Sequence, residues 1–339
     1  MLTAQKARLT KILFAVQLTV MAAGVVATAG VLVKSRVDTL RRRHEDSIAS
    51  ADAPSACKGA TGTLALLRAW LDGAELPLPV PGPQPPVDDA VRARGAALFA
   101  RHCATCHGTH GGGDGPTAAM LIDRPATLSR GVYELRTTEH ESLPTDRDLF
   151  RTITEGVHGT GMPPWFALPE RDRWALVAHI KTLSKEFAED EAPPPIEPRA
   201  PTPTPERVAH GAQLYGDGGC ASCHGPSGRG DGPAASSLVC QSGEPVKPRD
   251  LRLGRFHRST RLEDIYTTIV TGLDGTPMAS FVKVMSPDDL WDVALYVQGL
   301  APRFVERSDG LRCPQAPIAR DPDEAIGLRM LMHSLQPTN

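Results

Sequence analysis

The chain has 339 residues, of which 41% are hydrophobic and 22% charged, with a net charge of -2 and a pI near 6.6. That balance argues against a polyanionic partner, so no nucleic-acid role is expected. Its seven cysteines are too few for a disulfide-built scaffold at this length and direct attention to where they cluster.

The chain opens with Ile12 to Val33, a charge-free run broken only by Gln17 and scattered Thr and Gly. About 20 apolar residues span a bilayer. Lys6, Arg8 and Lys11 precede the run as the n-region of an export signal. Ala27-Thr28-Ala29 offers a small-residue cleavage site, but the apolar run continues through Val33, so an uncleaved N-terminal transmembrane helix over residues 1–34 is the expected form. Lys34, Arg36 and Arg41 to Arg43 follow the run, an arrangement that the positive-inside tendency alone would not place outside. Residues 35–87 then read as a polar segment, with a short helix from about Leu64 to Leu71 ending at Gly73. The proline-dense stretch from Pro77 to Pro86 reads as a semi-rigid spacer.

Two copies of Cys-x-x-Cys-His follow: Cys103-Ala-Thr-Cys106-His107 and Cys220-Ala-Ser-Cys223-His224. This is the spacing of c-type haem attachment, and with seven Cys and 11 His chance supplies only about 0.004 copies. Cysteines three apart on a helical turn project from one side and can reach two vinyl groups of one porphyrin. The next residue, His107 or His224, is carried beneath the ring as the proximal iron ligand. A zinc half-site or a redox dithiol is the competing reading. Neither needs the histidine, and zinc needs four converging ligands.

Around these motifs the chain repeats itself. Gly95-Ala-Ala-Leu-Phe99 matches Gly211-Ala-Gln-Leu-Tyr215 ahead of each motif, and Gly113-Asp-Gly-Pro116 matches Gly230-Asp-Gly-Pro233 after it. Pro125-Ala-Thr-Leu128 pairs with Pro248-Arg-Asp-Leu251. A helix capped at Thr145 runs to Gly156, and its counterpart runs from Leu262 to Gly272. Each feeds a loop with a methionine, Gly159-Thr-Gly-Met162 and Gly275-Thr-Pro-Met278, at the same distance past the histidine to within one residue. That repetition marks Met162 and Met278 as distal iron ligands, soft thioethers that favour ferrous iron. Met120, Met285, Met330 and Met332 are read as packing, and His110, His158, His210 and His257 as solvent-exposed or packing, although any of these histidines could replace a methionine in one redox state. A closing helix in each unit starts at Trp174 or Trp291. These tryptophans are expected to pack on Phe99 and Tyr215 respectively.

The arrangement resembles class I cytochrome c domains in tandem, over about residues 88–185 and 204–300. The resemblance implies an all-α fold, with domains at 88–190 and 204–302, a Pro-rich linker at 191–203 and a C-terminal tail at 303–339. It also implies that the carbonyls of Pro116 and Pro233 accept from the proximal imidazoles, and that Arg136 and Arg258 meet haem propionates. Haem attachment in this family takes place outside the energy-transducing membrane, so a bacterial inner-membrane anchor with periplasmic domains is expected. An oxidising compartment allows the three remaining cysteines to pair, and Cys240 with Cys313 is one option, leaving Cys57 odd.

Arg249, Arg252, Arg255, Arg258 and Arg261 recur every third residue, either as a solvated face or as a docking strip for an acidic redox protein. The expected role is that of a membrane-anchored electron carrier, not an enzyme. It would link a quinol-oxidising donor to a terminal oxidase, a reductase or a soluble acceptor. Two alternatives stand beside it: a cytochrome subunit of a larger respiratory complex, such as the dihaem subunits of some haem-copper oxidases, and a dihaem peroxidase, which would need one displaceable ligand.

Overall fold

The computed structural model describes residues 57, 60–77, 81–315, 318 and 322–334, all within one compact unit, Ala53–Asn339. The expected anchor at Ile12–Val33 lies outside the described residues. Among those described, no helix is long and apolar enough to cross a membrane.

In chain order the helices are α1 (Thr63–Leu71), α2 (Asp89–His102), α3 (Ala104–His107), α4 (Asp146–Glu155), α5 (Glu170–Ile180), α6 (Glu186–Glu189), α7 (Pro205–Asp217), α8 (Cys220–His224), α9 (Leu262–Thr271), α10 (Pro287–Leu300) and α11 (Pro322–Ser334). Short polar side chains start the main ones. Asp88 accepts from the Val91 amide at α2 and Thr204 from Arg207 at α7, while Thr145/Asp148 and Ser286/Asp289 form reciprocal capping boxes at α4 and α10. The fold is mostly helical, but not wholly: β1 (Phe304–Glu306) and β2 (Arg312–Pro314) form an antiparallel pair.

Within the first unit α2 crosses α5, and within the second α7 crosses α10. A Cβ on Gly95 would sit 2.0 Å from the Ala175 carbonyl oxygen, and one on Gly211 would sit 1.8 Å from that of Asp292. These two glycines therefore set how closely the helices approach. Gly95→Ala and Gly211→Ala are each expected to destabilise by about 1–3 kcal/mol, because the obstacle is backbone that cannot rotate away. Denaturant midpoints of the two variants check this, and a loss well below that range would mean that the crossing yields.

The aromatic pairing differs from expectation by one helical turn and more. Trp174 stacks on Phe150 of α4 (centroids 4.3 Å) and Trp291 on Tyr266 of α9 (3.8 Å). Phe99 meets His179 and Tyr215 meets Tyr296. The glycine crossing places α5 and α10 so that each tryptophan turns toward the preceding helix rather than the first. All four aromatic anchors are buried within their unit's core.

A small satellite core joins the segment before the first unit to the segment after the second. Trp70, Ala69, Ala74 and Leu76 pack with Leu311 around a Cys57–Cys313 disulfide, Cα–Cα 6.2 Å. The Cys240–Cys313 option is therefore not the one taken. Arg312 pairs with Glu75 across an isolated bridge, which brings Cys313 to the N-terminal segment instead. Cys240 is a half-buried free thiol, raised in pKa by burial and then by Glu134, Asp123 and Glu244.

The two units also bury a shared face, so the linker does not leave them free to move. Arg151 of α4 forks onto Asp264 of α9 (2.7 and 2.6 Å), Arg136 pairs with Asp274 (2.6 Å), and Arg258 reaches Asp148 (3.4 Å). Burial alone would raise the Asp264 carboxyl, but Arg151 and Arg258 outweigh it and hold it below the usual carboxylate range. The linker itself is pinned where the Ile196 amide donates to the Thr137 carbonyl, 2.6 Å.

The arginine run does not form one face, because each arginine takes its own partner. Arg249 binds Asp123 and the Gly159 carbonyl, Arg252 binds Asp250, Arg255 binds Glu324, Arg258 meets Asp148, and Arg261 pairs with Glu306. Arg255 and Arg258 are buried. The left-handed Gly254 breaks the threefold register, so the arginines before and after it leave in different directions.

Candidate haem sites

Each haem motif forms a single turn, α3 or α8, that continues from the end of the preceding helix. The loop after it folds back in the same way in both units. Gly113 N donates to His107 O (2.9 Å) and Gly230 N to His224 O (2.8 Å), while Gly115 N and Gly232 N donate to Cys106 O and Cys223 O, both 3.1 Å. Gly113 (φ 73°) and Gly230 (φ 76°) take the left-handed conformation this fold-back requires. A Cβ at Gly108 or Gly225 would strike Asp114 or Asp231, so the acid of each Gly-Asp-Gly-Pro loop tucks beneath its histidine turn.

His107 Nδ1 lies 3.1 Å from the Ala126 carbonyl oxygen. The Arg249 carbonyl takes the matching place beside His224, although that Nδ1 stops short of a full hydrogen bond. The acceptors are therefore not Pro116 and Pro233. Those prolines are exposed, because the turn made by Thr117 N to Thr105 O, and by Ala234 N to Ser222 O, carries them outward. The signal for the true acceptors was the other repeated proline, since Ala126 follows Pro125 as Arg249 follows Pro248. Burial lowers the proton affinity of both histidines, and the carbonyls only partly restore it. A neutral imidazole oriented through Nδ1, as His107 is by Ala126, leaves Nε2 to bind a metal.

The methionine loops are congruent down to single hydrogen bonds. Val157 N donates to Met162 O (3.0 Å) and Leu273 N to Met278 O (2.9 Å). Thr160 and Thr276 each accept from the methionine amide at 3.1 Å while donating to Val157 O or Leu273 O. Behind the loops, Trp165 N and Phe281 N return to Ile153 O and Ile269 O. Gly156 (φ 69°) and Gly272 (φ 65°) end the preceding helices, because Met162 O and Met278 O approach where a side chain would stand. Both methionines are half-buried.

Arg136 has no donor left for a haem propionate, and Arg258 is turned toward the seam. All of the Arg136 donor groups are engaged, by Glu139 O, Tyr133 O, Thr271 O and Asp274, and Arg258 turns to Asp148. Both residues serve the seam between the units.

The residues at each site fit haem c. Burial pushes the Cys103 thiol up to about 12, and Cys220 likewise upward, so these are neutral thiols in apolar surroundings rather than the thiolates of a redox pair. Among the described residues no cluster of three or more His, Cys, Asp or Glu side chains is arranged to hold a metal, so zinc would find no converging ligands. Cys103, Cys106 and His107 would hold one haem, and Cys220, Cys223 and His224 the other. Bound haem supplies a one-electron iron couple whose potential the axial ligands and surroundings set.

Comparison with known proteins agrees with this chemistry. The family described as cytochrome c oxidase, cbb3-type, subunit III matches residues 90–180, and the family described as cytochrome c matches residues 208–301. Among solved structures, the chain is similar to one from the Kuenenia stuttgartiensis reducing HAO-like protein complex Kustc0457/Kustc0458, with 37% identity and a TM-score of 0.61, over 65% of this chain and 98% of that one. No match is found among curated proteins. With a haem motif in each of two matched and structurally repeated units, the chain belongs to the cytochrome c family, as a tandem dihaem class I member with two covalently bound haem c groups that serve electron transfer.

Proposed function

We propose that the protein is the dihaem electron-transfer subunit of a larger oxidoreductase assembly, anchored by Ile12–Val33 at the outer face of a bacterial inner membrane. It relays single electrons from a respiratory donor, such as a quinol-oxidising complex, to an oxidase, a reductase or a soluble carrier. The observation that carries the reading is the congruence of the two ligand loops. Each site pairs one histidine turn with one methionine loop of the same build, and two six-coordinate His/Met irons would suit transfer and leave no position for substrate.

Membership of an assembly rests on likeness to a chain whose structure is that of a protein complex, and on the match of the first unit to a family described as an oxidase subunit. The Cys57–Cys313 bridge supports an oxidising compartment. Purification in mild detergent tests the reading. The expected result is stoichiometric partner proteins and two low-spin haems, whereas elution alone would favour a free carrier. A high-spin ferric haem with peroxide turnover would favour the peroxidase reading.

The ligand assignment carries its own prediction. Met162→His and Met278→His should each lower one of the two reduction potentials and leave the other, because a second imidazole gives up the thioether's preference for ferrous iron. Each should also remove about half of the near-infrared sulfur-to-iron absorption. Redox titration of the purified holoprotein checks both.

A further inference from the structure

Helix α11 lies far from the first unit in sequence but is built into its site. Leu331 is fully buried in the first unit's core, and Leu328 packs beside it. Glu324, also fully buried, accepts from the Gly159 amide at 2.6 Å, lies 3.5 Å from His158 and pairs with Arg255. Asp323 accepts from the Ile122 and Asp123 amides, 2.7 and 3.1 Å. At the helix centre Gly327 rests on the methionine loop, where a Cβ would stand 2.0 Å from the Gly161 oxygen. One turn further on, Met330 Sδ lies 3.6 Å from Cys106 Sγ. One helix thus touches both the ligand loop and the thioether side of the same site.

Among the described residues, no helix makes the matching contact with the second site. Where the first loop has Gly161, the second has Pro277, which is exposed and could not accept a helix backbone so closely. Glycine on both sides of the Gly327–Gly161 approach makes the asymmetry a property of the sequence.

We propose that α11 is a fixed cover over the Cys106 side of the first haem, so that the second haem, on its Cys223 side, is the one presented to an outside redox protein. The ferric form carries one more positive charge than the ferrous, so the apolar part of the cover at Gly327, Leu328, Met330 and Leu331, with the Glu324 charge taken up by Arg255, disfavours it and raises the first site's potential. The inference rests on haem occupancy and electron transfer, and not on membership of an assembly.

The test uses the full-length holoprotein with Gly327→Val, which drives the helix off the loop, and Met330→Leu, which keeps the bulk and removes the sulfur. Potentials are assigned to sites with Met162→His. Gly327→Val should lower only the first potential and speed reduction of that haem by ascorbate, while the second is unchanged. Met330→Leu should leave both potentials and the near-infrared band in place. Hydrogen exchange of the unmodified protein should show residues 322–334 protected. Unchanged first-site reduction in Gly327→Val, or α11 amides exchanging like free peptide, overturns the cover. Loss of the band in Met330→Leu would make Met330 an iron ligand and also overturn it. Absence of covalent haem would instead defeat the electron-transfer reading itself.

Discussion

Replacing Asp274 by Ala is expected to destabilise the holoprotein by about 3–5 kcal/mol, the cost of leaving a buried cation without its partner. Arg136 is 1% exposed, and its guanidinium meets the Asp274 carboxylate at 2.6 Å across the seam between the units. Burial pulls Arg136 below its ordinary range, and Asp274 opposes that only in part. The carboxylate also accepts from the Glu141 amide at 3.0 Å, and Glu141 has the one positive φ of a non-glycine residue among those described. The loop from Arg136 to Glu141 therefore loses two of its fixed points together. Arg136→Met combined with Asp274→Leu should recover only part of the loss, since the apolar pair needs no desolvation of charge but leaves the Glu139, Tyr133 and Thr271 carbonyls without their donor. Guanidinium titration followed by haem absorption and by circular dichroism checks both variants. Damage should appear first in the second site, because Arg136 also holds Thr271 O at the end of the helix that leads into the Met278 loop. If Asp274→Ala shifts the midpoint no more than a surface substitution does, the seam is not held by this pair.

The haem motifs and the methionine loops were legible in the sequence because their chemistry is local. Cys-x-x-Cys-His sits on one turn, and Gly-Thr-x-Met closes on its own backbone through Thr160 or Thr276. Repetition then separated Met162 and Met278 from the other methionines. What failed was whatever depended on where a side chain points after the chain turns. Arg136 and Arg258 occupy equivalent places in the repeat, as a shared haem contact would require. Equivalence is also what a seam between two similar units produces, with Arg258 on Asp148 and Arg136 on Asp274. The five arginines spaced by three looked like one strip only on the assumption of a regular backbone, which Gly254 breaks.

Long-range closure left no trace of that kind. Met330 reads as one more packing methionine, and Gly327 as a weak spot in a helix. Only the meeting of Gly327 with Gly161, far back in the first unit, gives either a purpose. The pairing of Cys57 with Cys313 was equally hidden, since three spare cysteines permit three bridges and nothing in their spacing selects one.

Reducing that bridge is the second large effect expected. It closes a loop with a sequence separation of 256, and chain entropy assigns such a cross-link about 5 kcal/mol. The whole amount should not appear in global unfolding. The bridge joins the satellite core around Trp70 and Leu311, which touches the first unit through Phe166 and Trp70 but belongs to the main core of neither haem unit. The satellite should therefore open first, at a denaturant concentration where the haem units persist, so the two-state transition splits into two. Trp70 makes the first step visible. It stacks on His158 at 4.7 Å and donates to the Glu155 carbonyl at 3.1 Å, so its release bares the residue beside Gly159 and loosens the loop that carries Met162. The first potential should fall on reduction while the second holds, and Cys57→Ala should reproduce both changes without reductant. Coincident tryptophan and haem transitions in the reduced protein would show instead that the satellite and the first unit unfold as one body.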